Sequence, residues 1–199
     1  MEIPGSFVRA PAAVVRRRLC KQVSKELGYT AAMRVLGIDC GGETTGFGVV
    51  ESTPDGGLRC VAAGAIHLSK KERLPARLAE VFRQLSAVIE THRPDTVAIE
   101  DVFYAVNAKS ALKLGHVRGV AMLSAAVFTL EVAEYAPLSI KSAVVGYGRA
   151  DKVQVQEMVM RLLKLDKRPE PTDVADALAI AICHLHTSAT LARQQASGR

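Results

Sequence analysis

Four carboxylates stand at the edges of apolar runs. "VLGIDCGGETTGFGVV", residues 35 to 50, begins as an apolar strand that closes on Asp39, and "DTVAIE" closes in the same way on Glu100. "PTDVADALAIA" then supplies Asp173 and Asp176 at the head of an apolar helix, where a spacing of i and i+3 puts both on one face. In open α/β sheets functional groups collect beyond the carboxyl ends of parallel strands, so the two strand-end acids are expected on one crevice. Carboxylates gathered without a counter-charge repel and raise one another's pKa values. A divalent cation resolves that conflict, and magnesium or manganese, hard ions that take oxygen ligands, suit such a set better than structural zinc. Two such ions ~4 Å apart stabilise the attacking and leaving oxygens of an in-line phosphoryl displacement, a mechanism for nicking nucleic acid. Each acid alone has a plainer reading, as a solvated strand end or a favourable charge in a helix's first turn. The combination is what points to a metal site.

The elements that must position these acids follow from local pattern. Arg34 to Asp39 and "TTGFGVVES" read as adjacent strands, "PDGG" at 54 to 57 as a turn, and "LRCVAAGAIHL" as a third strand, an antiparallel meander. Leu74, Leu78, Leu85, Val88 and Ile89 then recur at helical spacing, with Pro94 closing the segment. After the strand "DTVAIE", residues 108 to 128 read as a long helix carrying Gly115 and Gly119, and "LEVAEYA" as another strand. Helices follow at 139 to 145 and 152 to 164, and a last one runs from near Thr172 to about His186. Strands first, then alternating strand and helix, predict an α/β sheet whose later strands are parallel. The small residues Ala175 and Ala177 would let the last helix approach that sheet closely.

A chain of 199 residues with 49% apolar content suits one globular domain. No apolar run approaches the ~18 residues of a membrane span, so no membrane partner is expected. Residues 1–32 carry six cations against two carboxylates, +4 of the formal +6. They lack the order of a secretory signal and read as a basic extension, disordered or a mis-assigned start ahead of Met33. Residues 33–187 form the folded domain and 188–199 a polar tail, in a protein expected in the cytoplasm. The domain's remaining +2 makes no case for nucleic acid by itself, so such binding must rest on local patches. Cys20, Cys40, Cys60 and Cys183 show neither CxxC pairing nor zinc spacing and read as reduced thiols.

Four stretches occur in an order and spacing that resemble the RuvC family of Holliday-junction resolvases, bacterial endonucleases of the ribonuclease H-like fold. They are "VLGIDCGGETTGFGVV", "VAIEDVFYAVNAKSALKLGHVRGV", "IKSAVVGYGRADKVQVQEMV" and "DVADALAIAICH", and they span most of Met33 to His186. The resemblance implies a mixed five-stranded sheet with helices on both faces. It also implies a homodimer that holds a four-way DNA junction and cuts two opposing strands symmetrically, leaving 5′-phosphate and 3′-hydroxyl ends. Asp39, Glu100, Asp173 and Asp176 would hold the metal, two Mg2+ per active site with Mn2+ able to substitute. Such enzymes act beside a branch-migration complex of a junction-binding subunit and a hexameric ATPase. The chain departs from the family at Cys40, where proline commonly follows the first aspartate, and at Gly42 and Glu43, where small polar and often basic residues are frequent. Cysteine frees a backbone angle that proline would hold, and Glu43 adds negative charge near the metal residues while facing solvent.

Candidate DNA contacts follow. Phe103 and Tyr104 lie just after Glu100, where an aromatic face can stack on an unpaired base; core packing is the plainer role. Lys109, Lys113 and Arg118 lie on the next helix, with 109 and 113 on one face, as in many solvated helices. Lys141 and Lys152 match family positions near the scissile phosphate, and Lys152 opens a helix whose amides favour anions. His116, His184 and His186 are not read as metal ligands. Gly115 and Gly119 permit close helix packing, in the family at the dimer interface. Three rivals compete with this reading. "GIDCGGETTG" resembles the first phosphate loop of sugar kinases and heat-shock chaperone ATPases, which share the core fold, but those need a second domain and a second glycine-rich loop. A junction-binding protein without catalysis is another, and the ribonuclease H-like enzyme that trims ribosomal RNA precursors a third; the paired acids of "DVADAL" and the loop at 103 to 113 argue against the latter.

Overall fold

A computed structural model of the chain describes residues 32–101 and 108–197. Five strands form one sheet in the order β3-β2-β1-β4-β5. They are β1 (Arg34–Asp39), β2 (Thr44–Ser52), β3 (Leu58–His67), β4 (Thr96–Glu100) and β5 (Glu131–Tyr135). β1, β2 and β3 are antiparallel neighbours, as the meander predicts, while β4 and β5 join β1 in parallel. The helices are α1 (Leu74–His92), α2 (Ala108–Val127), α3 (Pro137–Val145), α4 (Lys152–Leu162) and α5 (Thr172–Ser197).

Both faces of the sheet are covered, which explains why β1 and β4 read as continuous apolar runs. Side chains alternate across a strand, so Leu36, Ile38, Val97 and Ile99 meet α1 and α2 on one face. Val35, Val50 and Ala98 meet α3, α4 and α5 on the other. Val81, Leu85 and Ile89 of α1 are buried, the periodicity that defined that helix. Local signals set the helix ends. Pro137 occupies the first turn of α3, where its missing N–H costs nothing, and Gly146 at φ 94° closes that helix. Asp151 caps α4 by accepting from the Gln154 amide at 2.9 Å, while the Gln154 side chain accepts from the Asp151 amide at 3.0 Å.

The last helix departs from the sequence reading at its far end: α5 does not stop near His186 but continues to Ser197, so most of the polar 188–199 segment is helical. No glycine or proline interrupts "HTSATLARQQAS", and alanine, leucine, arginine and glutamine favour the helix even where packing no longer does. Thr172–Gln195 is also long and apolar enough to pass for a membrane span. In the fold it is a core helix, with Leu178, Ala181 and Ile182 buried on the sheet.

Two glycines set how closely α5 lies on the sheet. A Cβ on Gly37 would fall 2.1 Å from the Ala177 carbonyl oxygen, and one on Gly46 would fall 2.0 Å from that of Asp173. Any side chain at these strand positions would push the helix away. The small helix residues permit the approach, but the sheet glycines create the space.

Candidate active site

Asp39 and Glu100 end two parallel strands that lie side by side. Ile38 is paired with Ile99, so the next residue on each strand, one carboxylate apiece, reaches the same level and turns toward the α5 face. α5 begins there, and the contact between Gly46 and the Asp173 backbone holds its first turn against β2. The four acids expected from the sequence thus meet at one end of the sheet.

Their electrostatics are those of a site short of positive charge. Burial, then the charges of Asp176, Glu100 and Asp173, push the Asp39 carboxyl up from 3.8 to about 7, against a lowering by Lys152. Glu100 is raised by burial and then by Asp176. Asp176 is raised by burial, against an opposing pull from Lys152. Glu51, a buried acid at the other end of β2, shows the contrast: Arg34 lies 3.2 Å and Arg59 2.7 Å from its carboxylate. Asp39 makes no ion pair among the described residues. An all-oxygen donor set with excess negative charge fits a hard dication. Among the described residues no three acidic, histidine or cysteine side chains are closed to ligating geometry.

Two lysines face the acids. Lys152, the first residue of α4, brings its Nζ to 3.5 Å from Asp176 Oδ2. Lys141 of α3 joins it in lining a cleft of about 180 Å³ with Glu100 and Asp176, closed on its apolar side by Ile140 and Val155. The capping box at Asp151 fixes where Lys152 stands, so a local sequence signal positions a residue of the site.

The other expected DNA contacts fare unequally. Phe103 and Tyr104 lie outside the described residues. Lys109 lies in the first turn of α2, and Lys113, one turn on, is exposed. Arg118 is engaged within the chain. It is paired with Glu134 of β5, 3.8 Å from Asp101 and 3.4 Å from the Glu100 carbonyl. The parallel β4–β5 pairing sets Glu134 and Asp101 at neighbouring strand ends, and Arg118 ties α2 to them. A Cβ placed on Gly115 or Gly119 would meet nothing within 4 Å, so among the described residues no neighbour packs against either glycine. His184 faces the Tyr135 hydroxyl at 2.9 Å and His186 the Ala143 carbonyl at 2.8 Å.

The turn after Asp39 contains what the sequence did not reveal. Cys40 is buried, and burial pushes its thiol up to about 12. Arg77 of α1 donates to the Gly42 carbonyl, and the Leu68 amide donates to the Glu43 carbonyl at 2.9 Å. Glu43 is exposed as expected, yet its side chain pairs with Lys70 at 2.8 Å. Nothing in local spacing marks Arg77 or Lys70 as neighbours of this turn.

The same sequence pattern and the same fold occur in known proteins. The family described as "Crossover junction endodeoxyribonuclease RuvC" matches residues 35–184. A protein of that description from Koribacter versatilis is 68% identical over 164 residues, covering 82% of this chain and 99% of its own. One from Alkaliphilus oremlandii is 50% identical over 155 residues, covering 78% of this chain and 94% of its own. Among solved structures, Thermus thermophilus RuvC superposes with a TM-score of 0.74 at 32% identity, covering 79% of this chain and 96% of that one. The same protein in complex with a Holliday junction substrate gives 0.75 at 32% identity, covering 78% and 94%. The yeast mitochondrial Holliday junction resolvase Ydc2, 17% identical with a TM-score of 0.59, shares the fold.

Proposed function

The chain belongs to the RuvC family of crossover junction endodeoxyribonucleases, and from that membership we propose that Asp39, Glu100, Asp173 and Asp176 hold the metal with which it cuts. It has the ribonuclease H-like fold and is a structure-selective endonuclease that resolves four-way DNA junctions by metal-dependent nicking. The kinase, ribosomal RNA and non-catalytic readings give way to that membership.

Two neighbouring strand ends, with two helix acids facing them, carry the finer reading. Two Mg2+ ions, replaceable by Mn2+, would supply Lewis-acid stabilisation of the attacking and leaving oxygens. Asp39 holds a proton up to about pH 7, so loading the site displaces it. Lys152 and Lys141 orient the scissile phosphate from the cleft, and the apolar wall of Ile140 and Val155 restricts water there. The ends left are 5′-phosphate and 3′-hydroxyl.

Symmetric cutting needs two such sites. Leu112 and Leu123 on α2 are 65% and 54% exposed, on the side where Gly115 and Gly119 stand open. Large apolar groups so exposed along one helix support a homodimer through that surface. Association with a branch-migration complex and a cytoplasmic setting complete the reading. The test compares wild type with Asp39→Asn on a synthetic four-way junction and on linear duplex in magnesium. Wild type is expected to nick the junction symmetrically, and the variant to bind it uncut. Equal cutting by the variant would remove Asp39 from the chemistry.

A further inference from the structure

Glu43, an exposed carboxylate, pairs with one cation and lies within the field of two more, from three different elements. Lys70, in the loop between β3 and α1, pairs with it at 2.8 Å. Arg77 of α1 is anchored one residue away, on the Gly42 carbonyl. Lys113 of α2 adds its field, and together the Lys70 hydrogen bond and the charges of Lys70, Arg77 and Lys113 hold the Glu43 carboxyl below the usual range.

The pair is not a stability device. Its side chains are 65% and 73% exposed, and ion pairs in that setting contribute little to folding. What three cations around an exposed oxyanion make is a seat for an anion. The seat lies at the active-site end, because Gly41, two residues before Glu43, packs beside Asp173: a Cβ placed there would stand 3.6 Å from Asp173 Oδ1.

We infer that Glu43 occupies a seat for a DNA backbone phosphate formed by Lys70, Arg77 and Lys113, and that a junction arm displaces it on binding. This rests on the junction-resolving function above. A carboxylate and a phosphodiester oxygen satisfy the same donors, and the second is delivered by a polyanion that releases counterions as it docks. Glu43 therefore lowers the affinity of this surface for DNA and blunts its salt dependence.

The test measures binding of full-length protein in EDTA, by fluorescence anisotropy, to a four-way junction and to linear duplex over a range of salt. Glu43→Gln is expected to tighten junction binding about 3- to 10-fold near 0.1 M salt, and to steepen the log-log salt slope by about 0.9, one phosphate contact. Lys70→Ala and Lys113→Ala are expected to abolish most of that gain when combined with Glu43→Gln. Glu157→Gln, which removes the same charge from an ion pair with Arg168, is expected to show a much smaller gain. Unchanged or weaker binding by Glu43→Gln, an equal gain in Glu157→Gln, or full retention of the gain in the lysine double variants would each overturn the inference. Should wild type fail to prefer junction over duplex, the functional reading itself falls. A clear preference with a silent Glu43→Gln sinks the seat alone.

Discussion

Lys152 Nζ stands 3.5 Å from Asp176 Oδ2, at the mouth of the cleft that Glu100 and Asp176 share. Its charge opposes the rise in pKa of Asp39, Glu100 and Asp176 alike. Removing it leaves the acids with less compensation and the phosphate with one cation fewer. Lys152→Ala is expected to move the metal-free midpoint of Asp39 above about 7, read by NMR of its carboxyl carbon. Loss of an electrostatic donor of this kind typically costs about 10²- to 10³-fold in kcat, and junction cutting should fall by that order.

The sign of the pH dependence follows from the same group. Asp39 titrates at 3.8 when unfolded and at about 7 in the fold, so the metal-free native state binds its proton more tightly. That contribution to stability is complete below about pH 4 and is lost as pH rises through about 7. Asp39→Asn should therefore stabilise the metal-free protein at pH 8, on the order of 1–3 kcal/mol, or a rise of several degrees in Tm. Magnesium binding by wild type should release protons below pH 7, visible as a buffer-dependent heat in calorimetry. A variant no more stable than wild type at pH 8 would contradict the raised pKa.

Gly46 is a positioning residue by virtue of having no side chain. A Cβ there would lie 2.0 Å from the Asp173 carbonyl oxygen, so Gly46→Ala must move the head of α5 off the sheet and carry Asp173 and Asp176 with it. The expected cost is about 1–3 kcal/mol, as for other overpacked sites, measured by urea denaturation. Cutting should fall further than that loss of stability explains, because the acids no longer face Asp39.

Arg118 separates structure from recognition. Its partners Glu134, Asp101 and the Glu100 carbonyl belong to the strand ends. Arg118→Met is expected to lower Tm by a few degrees while leaving the salt slope of junction binding within about 0.3 of wild type, whereas a phosphate contact would change it by about 0.9. A slope change of that full size would place Arg118 on the DNA surface.

Asp39, Glu100, Asp173 and Asp176 were legible in the chain because each is bound to a local signal: an apolar run that ends, or a helix that begins. The meander of β1 to β3, the caps at Gly146 and Asp151, and the burial of β4 are local in the same sense, set by side-chain periodicity and backbone preference within a few residues. Helical continuation past His186 was less legible, since propensity without packing leaves a weak pattern. What only the tertiary structure decided is which of these distant segments touch. Parallel pairing of β1 with β4 brings Glu100 beside Asp39, Gly37 and Gly46 set the depth of α5, Glu134 captures Arg118, and Lys70 with Arg77 reaches the turn at Glu43. Each of those contacts joins stretches far apart in the chain, and nothing in the spacing of one stretch records the surface that another will present to it.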